Sequence, residues 1–284
     1  MNILITGSSG FIGTNLNLYL LKKKVNVFNI DKKKNQYTLL KNFFKFDLIN
    51  INKLEEICRK KKIDIIINLA AISGVKNCHE EPNSAFKDNV ISTYNVLQVA
   101  KKLKIKKVLL ASSFAVNTFL KKPNFYGYTK FSAENMAYSF RKNYNLDVVV
   151  MRFSNVFGPY SFHKISAVHN FIKKSLSNKS FEIHGSGSQS RDFIYVLDLV
   201  KKIFNIIKLK KTKFKYNLNT SKKTNISNII KALNKISNKE NKTINVKPPP
   251  GYDIQPDKRS LNKKINKNLY NSLQKTYWWY SKNI

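Results

Sequence analysis

Tyr126 and Lys130 stand four residues apart in "YGYTKFSAENMA", where a stretch of helical spacing begins. Residues at that separation share one face of a helix. A free phenol, with a pKa of about 10, is a poor base at neutral pH. A lysine ammonium about 4 Å away, at an effective dielectric near 20, is worth roughly 4 kcal/mol, or about three pKa units. The pair therefore predicts a general base: a tyrosine brought toward neutrality by its lysine. Tyr128 lies next to it but has no lysine four residues on. Ser112 and Ser113 close the apolar run "KKVLLASS". A hydroxyl there can hydrogen-bond the same substrate oxygen as the phenol, or it can simply cap the following turn.

A second set of residues opens the chain. "MNILITGSSGFIGTNL" holds glycines at 7, 10 and 13 between an apolar run and an amphipathic one. Gly7 permits a sharp turn, Gly10 a close backbone approach to a pyrophosphate, and Gly13 tight packing of helix on strand. The phosphate then rests on the N–H groups of the helix start. Asp31 ends the next strand, placed to accept from adenosine ribose hydroxyls, and this selects NAD over NADP because a 2′-phosphate would meet a carboxylate. Lys32 and Lys33 beside it soften that repulsion. Asp47 in "FKFDLIN" is either an acceptor for the adenine amino group or a loop-start cap.

These residues need a scaffold that brings them together. "NILIT", "VNVFNI", "IDIIINLA", "KKVLLAS" and "LDVVVMR" read as short buried strands. Helical stretches at Phe11 to Leu21, Lys53 to Lys61, Asn83 to Leu103 and Tyr126 to Asn143 separate them. That alternation predicts a doubly wound α/β fold with a parallel sheet covered on both faces. The expected division is a Rossmann domain over 1–160, with about 191–223 returning to it. A smaller substrate-binding part then spans 161–190 and 224–284. In that part, "SFEIHGSGSQSRDFIYV" reads as strand, glycine turn, strand, and "VKPPPGYDIQP" as a loop.

The composition bounds the rest. The 284 residues carry a formal net charge of +36, with 42% hydrophobic residues and two cysteines. The lysines run along the whole chain rather than one stripe, so the charge reads as compositional drift and no nucleic-acid partner is expected. Runs such as Lys22 to Lys24 and Lys60 to Lys62 fall at helix ends or loops. "IIINLAAISGV" is too short for a membrane span, and no leader pattern precedes the first strand. Cys58 and Cys78 form no Cys-x-x-Cys pair, which fits a reducing cytoplasm. No metal site is expected.

Taken in order, the motifs resemble those of the extended short-chain dehydrogenase/reductase family, the nucleotide-sugar epimerases and dehydratases. "TGSSGFIG" is similar to its cofactor loop, "IDIIINLAA" to its fourth strand, and Asn89 in "KDNVISTYNVL" to the asparagine of its next helix. "ASS" and "YGYTK" resemble its catalytic serine and Tyr-x-x-x-Lys, and "RFSNVFGPY" its Arg-x-x-Asn segment. "GSGSQSRDFIYVLDLV" resembles the segment whose arginine holds a substrate phosphate.

The resemblance implies that Gly7, Gly10, Phe11, Ile12 and Gly13 form the pyrophosphate loop. Asp31 takes the ribose, Asp47 and Leu48 the adenine, Leu69, Ala70 and Ala71 line the NAD, and Asn89 supports it. Ser113, Tyr126 and Lys130 are the catalytic set, with Lys130 also on the nicotinamide ribose. Asn155 and Arg191 hold the nucleotide diphosphate, and Asp253 lies near the nucleotide ribose. A homodimer formed through two long helices of each subunit is also implied.

Three departures shape the expected reaction. The family's dehydratases carry an acid just after the catalytic hydroxyl, where this chain has Phe114 and Ala115. The stretch from Ser113 to Tyr126 is short, and "VNT" stands for the usual Val-Tyr-Gly. Pro249 and Pro250 occupy the place of a late arginine, for which Lys247 or Arg259 is the substitute. The expected activity is an NAD-dependent nucleotide-sugar 4-epimerase. The alternatives are a reductase of a nucleotide-linked 4-keto sugar and, from another class, a basic nucleic-acid-binding protein on a non-catalytic fold.

Overall fold

The computed structural model describes residues 1–117, 119–120, 122–247 and 265–283. In chain order the first elements are β1 (Asn2–Thr6), α1 (Phe11–Lys22), β2 (Asn26–Asp31), β3 (Phe43–Lys45), α2 (Ile51–Lys60) and β4 (Ile65–Asn68). Next come α3 (Val75–Glu80), α4 (Pro82–Phe86), a π-helical stretch (Lys87–Ile91), α5 (Ser92–Lys102) and β5 (Lys107–Ser113). A 3-10 turn (Phe114–Asn117), α6 (Phe125–Asn143) and β6 (Val148–Phe153) complete this run. Then follow β7 (Asn155–Phe157), α7 (Ala167–Leu176), β8 (Phe181–His184), β9 (Ser190–Tyr195), α8 (Val196–Lys208) and β10 (Lys215–Leu218). The last elements are β11 (Lys223–Asn225), α9 (Ile226–Ser237), β12 (Thr243–Val246) and α10 (Lys267–Asn283).

The chain divides into two units, Met1–Phe153 with Val200–Leu218, and Ser154–Leu199 with Asn219–Ile284. The first unit is built on a seven-stranded sheet of order β10-β6-β5-β4-β1-β2-β3, parallel throughout. Its central strands are continuous apolar runs because both faces are covered. Ile3, Leu4 and Ile5 of β1 and Val148, Val149 and Val150 of β6 are fully buried. Helices supply the covering faces through residues spaced three and four apart, such as Leu54, Ile57 and Cys58 of α2. The strand order reverses between β1 and β4. In open parallel sheets, ligands bind at the carboxyl ends beside such a reversal.

The second unit has two small sheets, β11-β9-β7 and β12-β8. The glycine turn after β8 therefore joins strands of different sheets rather than a hairpin. Helices α7, α9 and α10 bury Phe171, Leu233, Leu273 and Tyr280 in a separate core. Residues 154–160, 191–199 and 219–223 thus belong to this unit, although the sequence pattern assigns them to the Rossmann part. The cause is that β7 and β9 pair with each other and not with the large sheet.

Candidate active site

Gly7 follows β1 with a φ of +65°, and a Cβ on it would lie 2.6 Å from the Ala70 nitrogen. A Cβ on Gly13 would lie 2.3 Å from the Gly7 carbonyl oxygen. Both glycines are therefore required by the turn itself, which seats the loop against the end of β4. Gly10 differs: a Cβ there would meet only the Gly7 oxygen, at 3.2 Å. Its outer side is open, and no side chain caps the start of α1. An uncapped helix N-terminus behind an open glycine is the cradle a pyrophosphate needs. Phe11 is buried beneath it and Ile12 half-buried.

Asp31 ends β2 beside this loop. One carboxylate oxygen accepts from the Ser9 N–H at 3.0 Å and the other from the Lys33 N–H at 3.0 Å. Burial raises its pKa, and the backbone donors oppose the rise. The Lys32 N–H is a third backbone donor to it, and since a carboxylate has about four lone-pair sites, acceptor capacity is left for a ribose hydroxyl. Asp47 sits two residues beyond β3 and acts as a loop cap, accepting from the Ile49 N–H at 3.0 Å. It also pairs with Lys32 at 3.0 Å. Leu48 is buried, and Leu69, Ala70 and Ala71 are half-buried just past the end of β4.

Asn89 lies in the π-helical stretch and uses its side chain within the protein. Its Oδ1 accepts from the Ile72 N–H at 2.9 Å, and its Nδ2 donates to the Ile72 carbonyl and the Thr129 hydroxyl at 3.0 Å each. It ties the loop after β4 to α6.

Ser113 ends β5, and Tyr126 and Lys130 lie on the first turns of α6. Asn124 starts that helix, its Oδ1 accepting from the Gly127 N–H at 2.8 Å. Capping of this kind fixes the first turn, and with it the tyrosine. A Cβ on Gly127 would come within 2.4 Å of the Phe119 Cβ. Phe119 is buried against Tyr128 and Phe131. The short stretch between serine and tyrosine is thus plugged into the helix start by an aromatic ring.

Tyr126 and Ser113 are hydrogen-bonded through their side chains. The Lys130 Nζ is buried and donates to the Ala111 carbonyl at 3.2 Å. Burial pushes the Tyr126 pKa up to about 12, against a smaller downward pull from Ser113, and the Cys78 thiol adds to the rise. The spacing argument predicted a phenol near neutrality. Desolvation of the phenolate overrides it in the folded chain, because the charged form loses its water.

Ser112 faces a different partner. Its hydroxyl donates to Glu134 at 2.5 Å, and Arg152 clamps the same carboxylate through Nε at 2.8 Å and Nη2 at 2.5 Å. Arg152 also donates to the Asn117 Oδ1 at 2.6 Å. Glu134 was not singled out in the sequence, yet it continues the four-residue spacing of Tyr126 and Lys130 and so shares their face.

The second unit contains a cavity of about 180 Å³ lined by Asn155, Gln189, Arg191, Lys174 and His184, among others. The Arg191 Nη1 donates to the Ser190 carbonyl at 2.8 Å, and Asn155 to the Asp192 carbonyl at 3.2 Å. Asp192 accepts from the Ser154 hydroxyl and from the Thr220 and Lys222 N–H groups. Lys174 and Glu182 pair at 2.7 Å in the cavity wall. Gln189, Lys174 and His184 carry no motif and were not legible. Asp253, Pro249, Pro250 and Arg259 lie outside the described residues.

Residues 3–218 match the model of the NAD dependent epimerase/dehydratase family. The chain belongs to this family. Among its relatives is an uncharacterized protein of Methanocaldococcus jannaschii, 32% identical over 85% of this chain and 82% of the relative. A dTDP-D-glucose 4,6-dehydratase of Dictyostelium discoideum is 29% identical over 83% of this chain and 62% of its own length. The crystal structure of UDP-glucuronic acid 4-epimerase from Bacillus cereus, in complex with UDP-glucuronic acid and NAD, superposes with a TM-score of 0.87. It shares 26% identity, and each chain is covered in full. The family is NAD-dependent, and the open glycine cradle and the Asp31 carboxylate fit that cofactor. No helix among the described residues is long and apolar enough to cross a membrane.

Proposed function

We propose that the protein is a nucleotide-sugar 4-epimerase. The observation that carries this reading is the Ser113–Tyr126 hydroxyl pair at the carboxyl edge of the sheet, with Phe114 and Ala115 following it. Elimination of water from a sugar needs an acid beside that pair, and the two residues that follow Ser113 carry none. Glu134, on the same helical face, is committed to Arg152 and Ser112.

Gly7, Gly10, Phe11, Ile12 and Gly13 would hold the NAD pyrophosphate, Asp31 its adenosine ribose, and Lys130 its nicotinamide ribose. When bound, NAD supplies a hydride acceptor and donor and a positive charge near the phenol. Tyr126 takes the proton of the sugar 4-hydroxyl and later returns it, and Ser113 shares that hydrogen bond. A fixed positive charge favours the phenolate and opposes the rise that burial imposes. In the second unit, Arg191 and Asn155 offer a guanidinium and an amide to a diphosphate.

The test is incubation with a panel of UDP-, GDP- and dTDP-linked sugars, followed by chromatography. The expected product is the C4-inverted sugar, and a 4-keto-6-deoxy product would overturn the reading in favour of a dehydratase. Tyr126→Phe is expected to cut turnover by about 10²–10⁴-fold, the usual worth of a positioned general base. One observation favours a second reading. A phenol with a pKa of about 12 is protonated at neutral pH and ready to act as an acid, as reduction of a 4-keto sugar requires. Oxidation of added NADH by such a keto sugar, without epimerisation of any panel member, would select that reading.

A further inference from the structure

Lys32 directly follows the acid expected at the adenosine ribose, and its flexible four-carbon stem lets the ammonium swing widely. A free lysine at that place would welcome a 2′-phosphate and blunt the discrimination made by Asp31. The structure holds the ammonium elsewhere. Lys32 Nζ lies 3.0 Å from Asp47 Oδ2 and 2.5 Å from Asp88 Oδ1. The two acids come from different elements. Asp47 belongs to the loop after β3, where its other oxygen caps the chain at Ile49. Asp88 belongs to the π-helical stretch, and its side chain is 19% exposed against 45% for Lys32. Lys87 also acts on Asp47, so the acidic pair draws on two lysines.

We propose that Asp47 and Asp88 sequester the Lys32 ammonium, and that this clasp makes the cofactor site reject the 2′-phosphorylated dinucleotide. To meet a 2′-phosphate, Lys32 must leave two carboxylates at once. The phosphate would then face Asp31, Asp47 and Asp88 together. A clasp matters in this chain because lysines follow Asp31 at three successive positions, 32, 33 and 34. Of the other two, Lys33 is exposed and acts electrostatically on Asp31, while its backbone is fixed to Ser9 and Asp31. The inference rests on Asp31 lying at the ribose.

The experiment is calorimetric titration of the full chain with NAD and with NADP, which reads binding directly and needs no turnover. The parent is expected to bind NAD more tightly. Asp88→Asn keeps the side chain's shape and removes its charge. It is expected to tighten NADP about tenfold, the worth of one charge-assisted hydrogen bond. NAD should stay within about twofold, as expected for loss of a partly exposed ion pair. Adding Lys32→Ala to Asp88→Asn should return NADP to the parent value, whereas adding Lys33→Ala should leave the gain in place. An unchanged NADP affinity in Asp88→Asn, or a gain that survives removal of Lys32, overturns the clasp. So does a fall in NAD affinity in Asp88→Asn, since Asp88 would then be part of the NAD site. Asp31→Asn separates the underlying placement: if NAD binding is unaffected there, Asp31 is not at the ribose, whatever Asp88→Asn shows. Circular dichroism of each variant verifies the fold.

Discussion

Tyr126 keeps its proton because its surroundings are dry, and the same force acts on other strongly shifted groups among the described residues. Burial pushes the Cys58 thiol up to about 12 and Cys78 up to about 11. It brings His169 on α7 down to about 3, helped by the charges of Lys164, Lys173 and His163. His169 packs near the Tyr280 ring and hydrogen-bonds the Ser166 hydroxyl through Nδ1 at 2.6 Å. It is therefore neutral when folded, while an unfolded histidine takes up a proton near pH 6.5. The unfolded state then binds more protons in this window, so stability is full above about pH 6.5 and is lost as pH falls toward the folded value. Between pH 7 and pH 5 the expected loss from this one side chain is about 2 kcal/mol. Urea unfolding of the parent and of His169→Asn at both pH values checks it. The parent should lose that much more than the variant, and equal losses would show that His169 is not held neutral.

Helix ends explain where many of the lysines and asparagines went. The chain has nine glycines, and its helices close on other residues. Lys24, Lys62 and Lys104 follow α1, α2 and α5 with φ of 56°, 47° and 51°. At each, the N–H after the lysine reaches back five residues, as from Ile63 to Cys58 at 3.0 Å and Ile105 to Ala100 at 2.9 Å. Asn145 and Asn178 take the same left-handed conformation after α6 and α7. This is the closing motif that glycine normally serves, and an apolar residue comes next at all of these positions but Asn178, which Lys179 follows. A left-handed lysine costs roughly 1–2 kcal/mol, part of which glycine would return as unfolded-state entropy. Lys62→Gly and Lys104→Gly are each expected to add about 0.5–1 kcal/mol in urea unfolding. Lys62→Ala should add nothing, because alanine shares the strain. The same scale shows what was legible. The glycine turn, the strand alternation and the Tyr-x-x-x-Lys helix are local patterns, and each falls where its spacing puts it. The Lys32–Asp88 and Glu134–Arg152 pairs join residues far apart in sequence, so no spacing announced them. The phenol's pKa was misjudged because a one-dimensional pattern carries the charge of Lys130 but not the loss of water around Tyr126.

For the whole molecule, charge and apolar surface pull in opposite directions. Each chain carries a formal +36. Like charge of that size opposes association, most strongly at low ionic strength. Yet α5 and α6, which pack together in the first unit, leave large apolar side chains in water. On α6 these include Tyr128, Phe131 and Tyr138, exposed by 43%, 40% and 49% and aligned on one stripe by their spacing. Ile91, at the end of the π-helical stretch, and Tyr94 of α5 are exposed as well. A second copy meeting this stripe across a two-fold axis would form a closed, isologous pair of helices from each subunit. We expect a homodimer that tightens as salt rises, since screening removes repulsion while apolar burial remains. Sedimentation velocity across about 0.05–0.3 M salt tests this directly, a range over which the screening length falls to below about 10 Å. Phe131→Lys with Tyr138→Lys should give a monomer at every salt concentration while leaving the NAD affinity of the first unit intact. A parent chain that sediments as a monomer throughout would leave the stripe without this role, and a variant that stays dimeric would move the interface to another face.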